Sequence, residues 1–241
     1  MESNTGKYLV RSFFAKDLQQ RNLGIEDIKR LLRQQGESLS EEMDLLCAKM
    51  QIVASSLQTI IEEAILHTDE MTSIRINQKG FLKRIELLGC LRFHFFESLD
   101  DESYPHDHKQ LFVTKVLAGG YDHTVYQKAQ EGSSSKVYIK KSNGFVDTGR
   151  TITIEKDRTD RIRPECGYVI APRVLHSLSK LKAGTTTLVV RSTNPTFENK
   201  DPMFLIAEEP KETMEDKMTI EETQNLLRDL KARLFPVDMS L

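Results

Sequence analysis

Pro105–Gly120 reads PHDHKQLFVTKVLAGG. Two histidines stand two apart, after a proline and ahead of an apolar run that ends in two glycines. In an extended chain, residues i and i+2 point to the same face. Proline suits the first position of a strand, where the ladder loses little by its missing donor. If Pro105 opens a strand, His106 and His108 project together, Asp107 projects the other way, and the strand runs on to Gly119. Two imidazoles on one face can bind a divalent transition metal, but they need a third ligand from elsewhere in the fold. The best placed of the remaining histidines is His176, in CGYVIAPRVLHSLSKL, where Gly167, Pro172 and His176 surround a short strand and turn.

Outward from this stretch the texture is β. From about Ser73 to Ala207, short runs rich in Val, Ile, Thr, Phe and Tyr alternate with Gly, Asn, Asp and Pro. The expected strands are CLRFHFFES (90–98), KQLFVTKVLAG (109–119), HTVYQKA (123–129), KVYIKK (136–141), RTITIEK (150–156), GYVIAP (167–172), HSLSKL (176–181) and TTTLVVRST (185–193). EGSSS (131–135) reads as a loop between two of them. Many short strands at this spacing indicate a sandwich or barrel.

Before residue 70 the periodicity is helical. Ile25, Ile28, Leu31 and Leu32 share a face, with Gly36 as a stop. Ser38 and Glu41 form a capping-box pattern. One longer helix is expected from there through EEMDLLCAKMQIVASSLQTIIEEAILH, its core stripe being Leu46, Met50, Val53, Leu57, Ile60, Ile61 and Ala64. His67 closes that helix, where a cation favours the C-terminal carbonyls. The charged run 208–216 reads as a linker. A last helix follows, capped by Thr219 and Glu222, with Leu226, Leu227, Leu230 and Leu234 on one side, and it should pack on the barrel or on the N-terminal helices. The expected organisation is an N-terminal helical module (1–70), a β-barrel (71–207), and a linker with a C-terminal helix (208–241).

The net charge of -2 gives no reason to expect nucleic acid or an anionic membrane as a partner. Cys47, Cys90 and Cys166 are odd in number and far apart, which fits reduced thiols used for packing, in a cytoplasmic protein, better than a disulfide framework. No apolar stretch of signal-peptide or membrane-spanning length is present. Glycine-rich phosphate loops, a GxSxG elbow and convincingly spaced carboxylate pairs are absent.

The pair HDH, the apolar strand ending at Gly119, and the later G-x-x-x-x-P-x-x-x-H together resemble the two motifs of the cupin superfamily, over roughly residues 75–206. The resemblance implies a double-stranded β-helix with a metal inside. The usual glutamate after the second histidine is missing, because Phe112 and Val113 stand there. Pro172, Val174 and Lys180 also depart from the second motif. What remains is three histidines, His106, His108 and His176, without a carboxylate. That set is similar to the thiol dioxygenases of the cysteine dioxygenase type, although Val113 occupies the position of the cysteine that some of them cross-link.

The resemblance implies iron(II) as the metal, dioxygen and a small thiol or carboxylate as substrates, and pairing into a homodimer. Zinc, nickel or manganese, supporting isomerase or lyase chemistry, stay open, and so does a sensor or binding module that uses its helices for partner contact. Further candidates come from strand parity. Arg92 and His94 lie opposite Leu91, Phe93 and Phe95, so Arg92 can hold a substrate carboxylate if their face lines the barrel. Arg191 ends its strand with the same ambiguity. Gln110 shares the parity of the histidine pair, as a weak ligand or a hydrogen bonder to one. Tyr121 and His123 are expected near the barrel mouth as acid–base or positioning groups.

Overall fold

A computed structural model describes residues 8–12, 24–78, 80–97, 104–141, 144–164, 166–198, 203–206 and 214–236. The elements are β1 (Tyr8–Ser12), α1 (Ile25–Leu32), α2 (Leu39–Ser55), α3 (Leu57–Leu66), β2 (Thr72–Gln78), β3 (Gly80–Leu87), β4 (Leu91–Phe96), β5 (Phe112–Ala118), β6 (Tyr121–Lys141), β7 (Gly144–Ile162), β8 (Cys166–Ile170), β9 (Leu175–Ser179), β10 (Thr186–Arg191), β11 (Met203–Ile206), β12 (Met214–Lys217) and α4 (Ile220–Leu234). The chain is mainly β, and its strand pairs are antiparallel. Eight strands form one sheet in the order β1-β8-β5-β10-β4-β3-β2-β12. The long β6–β7 hairpin forms the second sheet, with β9 on the first part of β6 and β11 on its second part.

β10 (TTLVVR) is buried along its whole length, which is what a strand covered on both faces requires. On one face Leu91, Val190, Val113 and Val169 align across four strands. This face meets α2, as the Ser192 hydroxyl shows by donating to the buried Glu42 at 2.5 Å. Leu46, Met50, Val53, Ile60 and Ile61 press on the same core, and each fully buried side chain contributes roughly 1.5–3 kcal/mol. On the opposite face Glu86, Arg92, Val189, Thr114 and Tyr168 form one row, and Arg84, His94, Thr187 and Val116 form the next. α4 docks Leu227 and Leu230 into the core beside α3, with Leu226 and Leu234 half-buried.

Several sequence expectations are corrected. The helix over 41–67 is broken at Ser56, which separates α2 from α3. There the Ser55 hydroxyl takes the Ile52 carbonyl, and the Ser56 N–H is shared between Ile52 and Val53. EGSSS is no loop between strands. β6 runs through it, and Lys128 and Ser133 both face Ile154, so the residues between them form a bulge. The end of the expected linker, Met214–Lys217, is β12, paired to β2. The earlier part of that linker lies outside the described residues. Gly36 does not stop α1, which ends at Leu32. It is needed for close approach, since a Cβ there would come 2.5 Å from the Glu42 backbone nitrogen. β1, β2 and β3 were not foreseen.

Leu88, Gly89 and Cys90 join β3 to β4, and Leu88 and Gly89 have φ of 52° and 66°. Both left-handed, these two are the central pair of a turn closed by the Cys90 N–H on the Leu87 carbonyl, the kind of turn that favours Asn-Gly. Leu88 is 44% exposed and gains little from packing. Leu88→Asn is expected to stabilise the fold by about 0.5–1 kcal/mol, read as a rise of roughly 2 °C in Tm. An unchanged or lower Tm would contradict this account of the turn.

Candidate metal centre

The HDH segment crosses between the two sheets. His106 pairs with His176 in both directions, each N–H donating to the other's carbonyl at 2.9 Å, so it extends the small sheet beyond β9. Six residues later Phe112 has entered β5 of the large sheet. The expected strand beginning at Pro105 is therefore corrected to a crossover. His106 and His108 still meet, because the extended chain keeps alternate side chains on one side. The buried Asp107 is no member of the ligand group.

The three imidazole rings form a near-equilateral triangle. Their centroids are 4.8 Å apart for His106–His108, 4.6 Å for His106–His176 and 4.8 Å for His108–His176. Among the described residues this is the one group of His, Cys, Asp or Glu whose donor atoms lie close enough to share an ion, all within 4.8 Å. His106 Nδ1 lies 2.7 Å from the Tyr104 carbonyl, and His176 Nδ1 lies 3.2 Å from the Val174 carbonyl. Carbonyls accept, so each Nδ1 carries the hydrogen and the lone pair sits on Nε2.

The two nitrogens His108 Nε2 and His176 Nε2 stand 3.1 Å apart. Two imidazoles binding one ion at about 2.0–2.2 Å with a right angle between them would be about 3 Å apart. The wider donors have to draw in slightly for the ion to reach all three. Burial, with the neighbouring histidines and with Arg92 and His94 near His108, pulls the His108 and His176 pKa values well below the ordinary range. Burial lowers that of His106. Neutral imidazoles are what metal ligation needs. The donor set therefore fits a divalent transition ion.

His123 and Tyr121 are not at a mouth. Both are fully buried. On β6, Val125 faces His176 and His123 lies two residues along on the same side. The His123 ring stacks on His176 at 4.9 Å and 24°, and packs against Tyr168 at 4.0 Å. Burial holds His123 at a pKa of about 3, hence neutral. The Tyr121 hydroxyl donates to that of Tyr168 at 3.4 Å, and burial pushes the Tyr168 pKa up. Tyr168 was missed, although strand parity in GYVIAP puts it on the face of Ile170.

Arg92 and His94 stand on the face that carries Tyr168 and Phe112, whose ring is 4.6 Å from His108. Arg92 Nε donates to Glu86 at 2.9 Å. Arg191 donates to Glu86 Oε1, to the Gly89 carbonyl and to Gln110 Oε1, at 2.5, 2.6 and 2.5 Å. The Gln110 side chain also donates to Glu198. Gln110 thus braces Arg191 instead of reaching the three imidazoles. Cys47, Cys90 and Cys166 are free thiols, the first two buried.

No family model matches the chain, and no curated protein does. Solved structures do. The 3,4-ketoisomerase QdtA from Thermoanaerobacterium thermosaccharolyticum, in complex with TDP-4-keto-6-deoxyglucose, has 14% identity and a TM-score of 0.31, over 68% of this chain and 97% of that one. HEPD from Streptomyces albus, with 2-hydroxyethylphosphonate and Fe(II) bound, has 12% identity and a TM-score of 0.28, over 47% of this chain and 21% of that one. Oxalate decarboxylase from Bacillus subtilis has 16% identity and a TM-score of 0.30, over 55% and 30%. The matches span less than a third of the last two proteins. Likeness at this level assigns neither family nor activity. Among the described residues, no helix is long and apolar enough to cross a membrane.

Proposed function

We propose that this protein is a metal-dependent enzyme of the cupin type, a double-stranded β-helix whose His106, His108 and His176 hold iron(II), and that it oxygenates a small thiol- or carboxylate-bearing molecule. The observation that carries the reading is the ligand set: three neutral imidazoles in a triangle, between two sheets, with no carboxylate among them. Iron(II) held there would supply dioxygen chemistry at open positions. The chain's own groups do the rest. Arg92 and His94 receive the substrate's anionic end from the neighbouring rows of the large sheet. Arg191, fixed by Glu86 and Gln110, keeps that end of the site in place. Phe112 and Tyr168 exclude water around the imidazoles, and a dry site strengthens every charge contact in it. Localisation in the cytoplasm and pairing into a homodimer belong to the same reading.

His123 and Tyr168, packed against one another beside His176, favour a second reading. A neutral imidazole next to a phenol is suited to moving a proton on a substrate, with zinc, nickel or manganese holding its oxygen, which is isomerase or lyase chemistry. Elemental analysis of the native protein, followed by oxygen uptake with iron-loaded protein and a panel of small thiols and carboxylates, tests both. Oxygen consumption that disappears in His106→Ala supports the first. A stoichiometric metal with no oxygen uptake on any substrate would favour the second, and protein that retains no transition metal after reconstitution would overturn both.

A further inference from the structure

The two rows of the large sheet beside the imidazoles hold more positive charge than they neutralise. β3 and β4 set Arg84 opposite His94 and Glu86 opposite Arg92, all on one face. Arg191 reaches into the same set from β10. Glu86 is the one carboxylate on these rows, and it is engaged by both Arg92 and Arg191. Among the described residues, three guanidinium groups against one carboxylate leave two positive charges unbalanced on these rows.

The donors are not equally occupied. Arg191 is almost fully buried and its terminal nitrogens are committed to Glu86, Gln110 and Gly89. Arg92 spends only Nε, so its two terminal nitrogens have no partner among the described residues, and its side chain keeps 22% exposure. Arg84 makes no hydrogen bond or ion pair among the described residues, and it is half-buried. The charges feel one another. Burial, then Arg191 and Arg84, pull Arg92 down to about 10, and burial with Arg92, Arg84 and Arg191 holds His94 neutral. Like charges crowded on a half-buried face destabilise the free protein unless an anion joins them.

We infer that Arg84, Arg92 and His94 form the receiving site for a doubly negative, tetrahedral oxyanion group on the substrate, a phosphate- or phosphonate-type head. A single carboxylate would cancel one of the two surplus charges and offers two oxygens. A tetrahedral dianion cancels both, and its three terminal oxygens accept from the fork of Arg92, from the guanidinium of Arg84 and from the His94 ring. Glu86 and Arg191 act through Arg92 as positioning residues. The inference rests on the functional reading above in taking the imidazole centre as the place of reaction, and it sharpens the substrate class from a small carboxylate to a dianionic one.

Calorimetric titration with inorganic phosphate, then with acetate, tests it. The full-length protein is used as purified, with its metal content measured, and again after chelation with its fold verified by circular dichroism. Phosphate is expected to bind both forms at least tenfold more tightly than acetate. Arg92→Gln is expected to weaken it by tenfold or more. Arg84→Gln, which breaks no hydrogen bond among the described residues, is expected to do the same. Glu86→Gln removes the competing charge and keeps one of the two acceptors that Arg92 and Arg191 use, so it is expected to tighten phosphate several-fold, whereas a purely structural role would weaken it. Phosphate binding that survives chelation in a protein that never takes up metal would leave this site standing and remove the metal reading. Binding that requires the metal and ignores Arg84→Gln and Arg92→Gln, or no phosphate binding by either form, overturns the inference.

Discussion

His176→Gln is expected to abolish stoichiometric binding of a divalent transition metal while leaving the chain folded. His176 is the ligand that the other two cannot replace. It is opposite His106 across a two-way backbone pair, and its Nε2 faces that of His108 at 3.1 Å. Glutamine is close in volume and keeps a donor for the Val174 carbonyl, so the loss should fall on the ion more than on the fold. A structural zinc site yields about 10–16 kcal/mol from four ligands, or roughly 3–4 kcal/mol for each. Removing one of three therefore costs on the order of 10²–10³ in affinity. Competition titration against a chelator indicator, with circular dichroism on the same sample, reads both effects. A folded His176→Gln protein that binds as tightly as the natural one would show that the triangle of imidazoles is not a metal site.

The two halves of that triangle were legible in the sequence for different reasons. The pairing of His106 with His108 follows from period-two geometry, which holds for any extended chain. It therefore survived the finding that the segment is a crossover and not a strand. His176 was legible through its spacing from Gly167 and Pro172. What period-two reasoning did not pick out was strands whose apolar alternation is short or missing. MEDK has none, and TSIRINQ alternates only over Ile74 and Ile76, which are buried where the two strands pair at one end of the large sheet. EGSSS was read as a loop from its serines and glycine, yet it continues a ladder through a bulge. Missing the β2–β3 hairpin had a cost at the site. Glu86 and Arg84 are on β3, and with that strand unread neither could be set beside Arg92 and His94. The helix break at Ser56 was invisible because the apolar stripe continues in phase across it. His123 was placed near the mouth because it follows a turn. Its burial depends on β9 and Tyr168 closing over it, and both are non-local.

Acid is expected to destabilise the metal-free protein steeply between pH 6.5 and 5, before its carboxylates begin to titrate. His123 and His176 are fully buried, and burial is the first cause of their lowered pKa values, to about 3 for His123 and well below the ordinary range for His176. In the unfolded chain each titrates near 6.5. Above that pH neither state holds the proton, and the two groups add no pH dependence. Below it the unfolded chain takes up a proton at each histidine while the folded chain does not, so stability is lost as the pH falls, by about 1.4 kcal/mol per pH unit for each group. Two groups lose roughly 4 kcal/mol by pH 5, a large part of the 5–15 kcal/mol that holds a typical domain together. His94, His106 and His108 are less deeply buried but are shifted the same way, so two protons is the lower bound. Bound metal should steepen the loss, because ligation also requires neutral imidazoles and the ion leaves as they charge. Urea unfolding at pH 7.5, 6.5, 5.5 and 5.0, after chelation, measures the slope. His123→Gln should reduce it by the share of one proton, about 1.4 kcal/mol per unit, at any baseline stability the variant has. A stability that stays level from pH 7.5 to 5 would mean that these imidazoles carry their charge in the folded chain, and the neutral ligand set would fall with it.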